Sequence, residues 1–200
     1  MERASGVDKT EIERRLICAV GHMVVKDRHL MENDGSERSI IHRVGVYLEG
    51  AFPPGWDVDC EYNLDGMTPN DPKAFMLPSA EPPHGDTERL VTPDLIVHKR
   101  GSSAPGANIL AVEAKKLHTG RDWLTEIEDD FDRLRVLRDR RGYAVVAFLL
   151  LQTRRKRSTR SIGALLAFGT RDAEPFTVPF GEDDPPSLPR EDWFQRGRTS

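Results

Sequence analysis

The stretch YAVVAFLLL, residues 143–151, limits what this chain can fold into more than any other. Consecutive positions are apolar, so a strand built from it must be covered on both faces. The run is far too short to cross a bilayer, and the cover has to come from the rest of the chain. Of the 200 residues, 38% are hydrophobic and 31% charged, enough apolar side chain for one core and enough charge to keep its outside in water. The chain reads as a single domain over residues 1–172, with a Pro-rich, partly ordered tail over 173–200.

Periodicity supplies the cover. Ile12, Leu16, Ala19, Val20 and Met23 recur at helical spacing and predict an amphipathic helix over about residues 9–25. After the polar break KDRHLMENDGS, Ile40, Ile41, Val44, Tyr47 and Leu48 predict a second helix over 37–49, with Asp34 as N-cap and Gly50 as stop. A short alternating strand follows, Val58, Cys60 and Tyr62 facing one way and Asp57, Asp59 and Glu61 the other. Residues 63–89, rich in Pro, Gly, Asp and Asn, read as a long irregular excursion. Leu124, Ile127, Phe131, Leu134 and Leu137 predict a helix over about 122–140, ended by Gly142, while IGALLAFG reads equally as strand or helix. Helix, strand, hairpin, helix, strand is an α/β order, and a mixed central β-sheet flanked by helices is the expected architecture.

Cys18 and Cys60 have no CxxC spacing, so they indicate neither a disulfide framework nor a zinc site and are expected as reduced, buried thiols. The N-terminal residues contain no apolar stretch of signal length, which makes a cytoplasmic protein without membrane association the expectation. A net charge of −4 argues against coating nucleic acid by bulk attraction but leaves room for local patches. The basic cluster Arg154, Arg155, Lys156 and Arg157 is either such a nucleic-acid contact or a solvated loop.

The hairpin VTPDLIVHKRGSSAPGANILAVEAKK, residues 91–116, carries chemistry inside core-like strands. Side chains alternate along a strand, so Glu113 and Lys115 share one face and Val112, Ala114 and Lys116 the other. Asp94 and Glu113 are equidistant from a turn between Ser103 and Ala104, a register that sets the two carboxylates opposite one another. Opposed carboxylates in a half-buried sheet repel unless positive charge lies between them. A divalent cation with hard-oxygen preference, such as magnesium, removes that repulsion, and a lysine beside it can orient a water for phosphodiester hydrolysis. The competing reading is a structural Asp94–Lys115 ion pair with Glu113 solvated at a sheet edge.

Pro93-Asp94 followed after a hairpin by Glu113-Ala114-Lys115 resembles the PD-(D/E)XK nuclease superfamily, and the surrounding element order extends the resemblance over about residues 36–151. The resemblance implies a restriction-endonuclease-like fold and a Mg2+-dependent nuclease, Mn2+ substituting, that hydrolyses phosphodiester bonds of DNA through a metal-activated water. It implies that Asp94, Glu113 and the Ala114 carbonyl bind the metal and that Lys115 positions the water. Glu37 matches an additional catalytic acid, and equally the N3 partner of an Asp34 capping box. Glu61 and His98 are candidates for supporting roles behind the metal ligands, against plainer readings as a half-exposed strand residue and a packed histidine. Asp130 and Arg133 resemble polar positions near many such sites, against the favoured reading as surface helix contacts, and Gln152 is placed to meet substrate. Specificity would come from residues 63–89, the basic segment, a homodimer partner or an activating protein. The alternative is a non-catalytic nucleic-acid-binding or assembly module that retains the fold.

Overall fold

Helical spacing and two-sided apolar runs each fold as their periodicity demands. The computed structural model describes residues 8–62, 75–77, 89–102, 104–118, 122–154, 162–169 and 176–181. In chain order these form α1 (Lys9–Lys26), α2 (Arg28–Glu32), α3 (Glu37–Glu49), β1 (Asp57–Cys60), β2 (Phe75–Leu77), β3 (Arg89–Val91), β4 (Leu95–His98), β5 (Asn108–Lys116), α4 (Trp123–Arg141), β6 (Val145–Gln152), β7 (Gly163–Gly169) and β8 (Phe176–Gly181). Six strands make one mixed sheet in the order β1-β4-β5-β6-β7-β8, with β5 and β6 parallel and every other neighbouring pair antiparallel. The β2–β3 pair is a separate antiparallel ribbon.

Every residue of β6 is buried. Val145, Ala147, Leu149 and Leu151 join the core shared with α1 and α3, whereas Val146, Phe148 and Leu150 join the core under α4. Burying a Leu or Phe side chain is worth about 1.5–3 kcal/mol, so these layers hold the sheet from both sides. A carboxylate placed on the same faces opposes that gain unless a partner compensates it. α3 lies close across the sheet, because a Cβ on Gly45 would meet Leu95 Cδ1 at 3.2 Å and Cys60 Sγ at 3.3 Å. α4 is the crossover between parallel β5 and β6, and it ends at Gly142, whose φ of 66° lets its N–H turn back to Leu137.

The β4–β5 register is the one the hairpin's symmetry predicts: Leu95 pairs with Val112, Ile96 with Ala111 and Val97 with Leu110 before a bulge at His98. Several local expectations are corrected. The polar break after α1 contains the short helix α2. Ser36, not Asp34, caps α3, its side chain accepting from the Ser39 N–H. Tyr62 does not share a face with Val58 and Cys60, since Glu61 turns the chain at φ 51° and Tyr62 packs into the α4-side core. Cys18 is exposed on α1 and Cys60 is half-buried, rather than both buried, and both are free thiols. IGALLAFG is strand β7. The Pro-rich C-terminal segment contributes the sheet-edge strand β8, where Pro179 is exposed and tolerated as an edge residue. Most of the excursion over residues 63–89 lies outside the described residues, apart from strand β2 within it and Arg89 of β3 at its end. Among the described residues no helix is long and apolar enough to cross a membrane.

Candidate active site

β5 outruns its neighbour. β4 begins at Leu95 opposite Val112, so residues 113–116 of β5 have β6 on one side and no β4 ladder on the other. Pro93 has no N–H with which to extend the pairing. The Leu117 N–H donates to the Leu151 carbonyl, so odd-numbered amides here face β6 and even-numbered ones face the gap. Two carboxylates fill that gap. The Ala114 N–H donates to Asp94 Oδ2 at 2.7 Å, and the Lys116 N–H donates to Glu37 Oε2 at 2.6 Å. A strand residue's N–H and C=O point to the same side, so the Ala114 carbonyl opens between these acids.

The loop before α3 sets Glu37. Lys116 Nζ donates to Asp34 Oδ1 at 2.7 Å and to the Gly35 carbonyl at 2.9 Å, and Thr153 Oγ1 donates to Asp34 Oδ1 at 2.6 Å. Asp34 is therefore the clamp that ties the start of α3 to the ends of β5 and β6. Asp34 and Glu61, at φ 55° and 51°, are the non-glycine residues with positive φ among the described residues. Both flank the acids, and the Glu61 N–H donates to the Asp94 carbonyl at 3.2 Å. Strained backbone concentrates at functional sites.

On the α4 face, Glu113 is buried and its Oε2 accepts from Arg133 Nη2 at 3.2 Å. Asp130, also buried, pairs with Arg133 and lies 3.3 Å from Lys115 Nζ, with Glu126 Oε2 at 3.8 Å from the same ammonium. Lys115, Asp130, Arg133 and Glu113 thus alternate in charge from one strand to the facing helix. The Asp94–Lys115 ion pair expected on the structural reading is replaced by Lys115–Asp130. Glu113 Oε1 remains buried with no hydrogen-bond partner.

The carboxyls register their burial. Burial, and then the neighbouring Asp94, push Glu113 up to about 8, against the pull of Arg133. Burial also raises Asp94, against the Ala114 hydrogen bond and the charges of Arg133 and Lys115. Glu37 is raised by burial too, with the Lys116 amide opposing. Three acids in one place hold their protons more tightly than ordinary carboxyls, because burial disfavours their charged forms.

Asp94, Glu113, Lys115, Glu37 and Ala114 therefore gather at the open end of β5. His98 does not join them. It is buried further along β4, its Nε2 is 2.8 Å from Asp59 Oδ2, and it meets Tyr62 edge-on at 4.7 Å. Glu61 supports Asp94 through its backbone, and its carboxylate pairs with Arg38 at 2.5 Å. Arg154 ties to α2, donating its N–H to the Met31 carbonyl and placing Nη1 3.8 Å from Glu32. Arg155, Lys156 and Arg157 lie outside the described residues, and Gln152 is a buried residue at the end of β6. Asp130 and Arg133, expected at the surface, are instead inside the network. Asp130 had a signal in the sequence, since it falls on the inward stripe with Ile127, Phe131, Leu134 and Leu137.

A cleft of about 870 Å³ opens beside the acids, lined by Glu37, Arg38 and His42 from α3 together with Leu30, Glu61 and Asp94. Glu113 and Lys115 are not in its lining. Among the described residues no group of three or more His, Cys, Asp or Glu side chains is arranged to hold a metal ion. Two carboxylates and a carbonyl nonetheless fit magnesium, which commonly takes only one or two protein carboxylates, and the buried, unpartnered Glu113 Oε1 is an acceptor left for such an ion. Compared with protein-family models, with curated proteins and with solved structures, the chain matches none.

Proposed function

We propose that the chain is a Mg2+-dependent nuclease acting on DNA, with a restriction-endonuclease-like fold of the PD-(D/E)XK kind. The observation that carries this reading is the pairing of Asp94 at the open edge of β5 with a buried Glu113 whose Oε1 has no partner, on the strand that also bears Lys115. Held by Asp94, Glu113 and the Ala114 carbonyl, magnesium would polarise the scissile phosphate and acidify a water.

The remaining work falls to the chain's own groups. Lys115, its ammonium fixed from below by Asp130, orients the attacking water and balances charge gathering on the phosphate. Glu37 fixes the end of β5 through the Lys116 amide, and its raised affinity for a proton suits it to take one up during attack. The cleft gives the strand a path to Asp94 and Glu37, with Arg38 and His42 beside it for backbone phosphates.

One observation favours the alternative, a non-catalytic nucleic-acid-binding or assembly module. Lys115 and Glu113 are both engaged with α4, and neither lines the cleft. Cleavage of plasmid, linear duplex, single-stranded DNA and RNA, measured in Mg2+, Mn2+ and EDTA for wild type and Lys115→Met, separates the two. The nuclease reading expects metal-dependent cleavage of DNA that Lys115→Met abolishes. Cleavage that survives the substitution sinks the assigned mechanism. Binding of DNA with no cleavage in either metal favours the module.

A further inference from the structure

Among the described residues, Arg133 is the group that contacts both buried acids of the α4 face. Its Nη2 meets Glu113 Oε2 at 3.2 Å and also contacts Asp130 Oδ1. Glu113 and Asp130 are each 1% exposed, and the Arg133 guanidinium bridges them. Glu113 consequently has two unlike sides. Oε2 is taken by a fixed cation that cannot lose its charge, whereas Oε1 is buried and unpartnered.

We propose that Arg133 is a built-in counter-cation standing where a second metal ion would otherwise sit, so that the site takes a single divalent ion, on the unpartnered Oε1 side of Glu113. Asp130 acts through Arg133 and Lys115 as a positioning residue, holding the guanidinium against Glu113 and the ammonium beside it. The ordering of charges explains why an acid as deeply buried as Asp130 belongs on α4. It neutralises two cations that would otherwise repel the incoming ion. This inference rests on the metal site of the proposed function.

Mn2+ binding to the full-length chain, followed by calorimetry and by the loss of the free-ion spin resonance signal, tests it without any cleavage assay. Wild type should bind one Mn2+ per chain, and Asp94→Asn should abolish that binding. Arg133→Gln, which keeps a donor and removes the charge, should bind two, and adding Asp130→Asn should return the number to one. Arg133→Lys, which keeps the charge, should stay at one. Two ions in wild type would overturn the proposal, whether or not the Gln variant folds. So would a single ion of unchanged affinity in folded Arg133→Gln, which would make Arg133 a structural tie. Absence of Mn2+ binding by wild type, or binding that ignores Asp94→Asn, would instead remove the metal site itself and the inference with it.

Discussion

Strand β4 has an acid cluster at each end, and the two behave oppositely. Near His98, Asp59 accepts from Arg100 Nε at 2.8 Å and lies 2.8 Å from His98 Nε2, and the Arg100 N–H donates to Asp57 at 2.9 Å. Burial raises the Asp59 carboxyl, but Arg100 and His98 outweigh it and hold the group below its ordinary range. Before Leu95, Asp94 and Glu113 are raised by burial that the available cations fail to offset. The first cluster is complete as it stands, so it reads as structure. In the second, burial outweighs the cations at hand, so its acids hold their protons more tightly than ordinary carboxyls.

The sharpest way to break the contrast is to neutralise one acid in each cluster. Asp94→Asn keeps an acceptor for the Ala114 N–H and removes the charge that repels Glu113. Cleavage should fall by at least about a thousandfold, the several kcal/mol that Lewis-acid assistance supplies. Metal-free melting temperature should rise, and a chain that loses both activity and stability would assign Asp94 to structure.

Titration separates the clusters by sign. Glu113 holds its proton in the fold up to about 8, far above an unfolded glutamate near 4.3, so between those values the unfolded chain binds fewer protons. Its contribution to metal-free stability is full below about pH 4.3 and declines as pH rises toward 8, at no more than about 1.4 kcal/mol per pH unit. Asp59 is shifted downward, so its contribution is full above an unfolded aspartate, near 3.9, and is lost as pH falls through its lower folded value. Chemical denaturation from pH 4 to 9 should therefore show stability declining as pH rises from about 4.3 toward 8. Glu113→Gln should flatten that decline and Asp59→Asn should leave it in place. A decline that Glu113→Gln leaves unchanged would show that another group causes it.

Asp59→Asn should be the third effect in size. It weakens contacts to Arg100 and to buried His98, worth about 1.5–3 kcal/mol for hydrogen bonds to charged groups, with the half-exposed Arg100 keeping the loss toward the lower end. Per-molecule cleavage by the folded fraction should match wild type. A specific loss of activity would move the Asp59–His98 cluster into the site.

What could be foreseen in the chain follows the same division. The helices of apolar period, the two-sided strand β6 and the β4–β5 register up to Val97 are set by local alternation and by the turn's position, and they were legible. Asp34 looked like a cap because a helix start needs one, but Ser36 filled that role and left Asp34 to bind Lys116 and Thr153 from distant strands. Arg133 was illegible for a similar reason, since its partner Glu113 is on another element and only folding brings them together. Tyr62 followed strand alternation until the positive φ of Glu61 reversed it, a backbone choice with no glycine to announce it.

Arg38 should give the smallest effect and the finest discrimination. Its ion pair with Glu61 joins a side chain 78% exposed to one 47% exposed, and exposed pairs of this kind are worth about 0–1 kcal/mol. Arg38→Ala should scarcely move the melting temperature. The same residue lines the cleft beside Glu37 and Asp94, where a cation neutralises about one phosphate if a nucleic-acid strand enters. Affinity for DNA should then weaken evenly across sequences, and the slope of log affinity against log salt should become shallower by about one. An unchanged salt slope would place the strand elsewhere on the molecule, leaving Asp94 and Glu37 open to a cleft that does not carry the substrate.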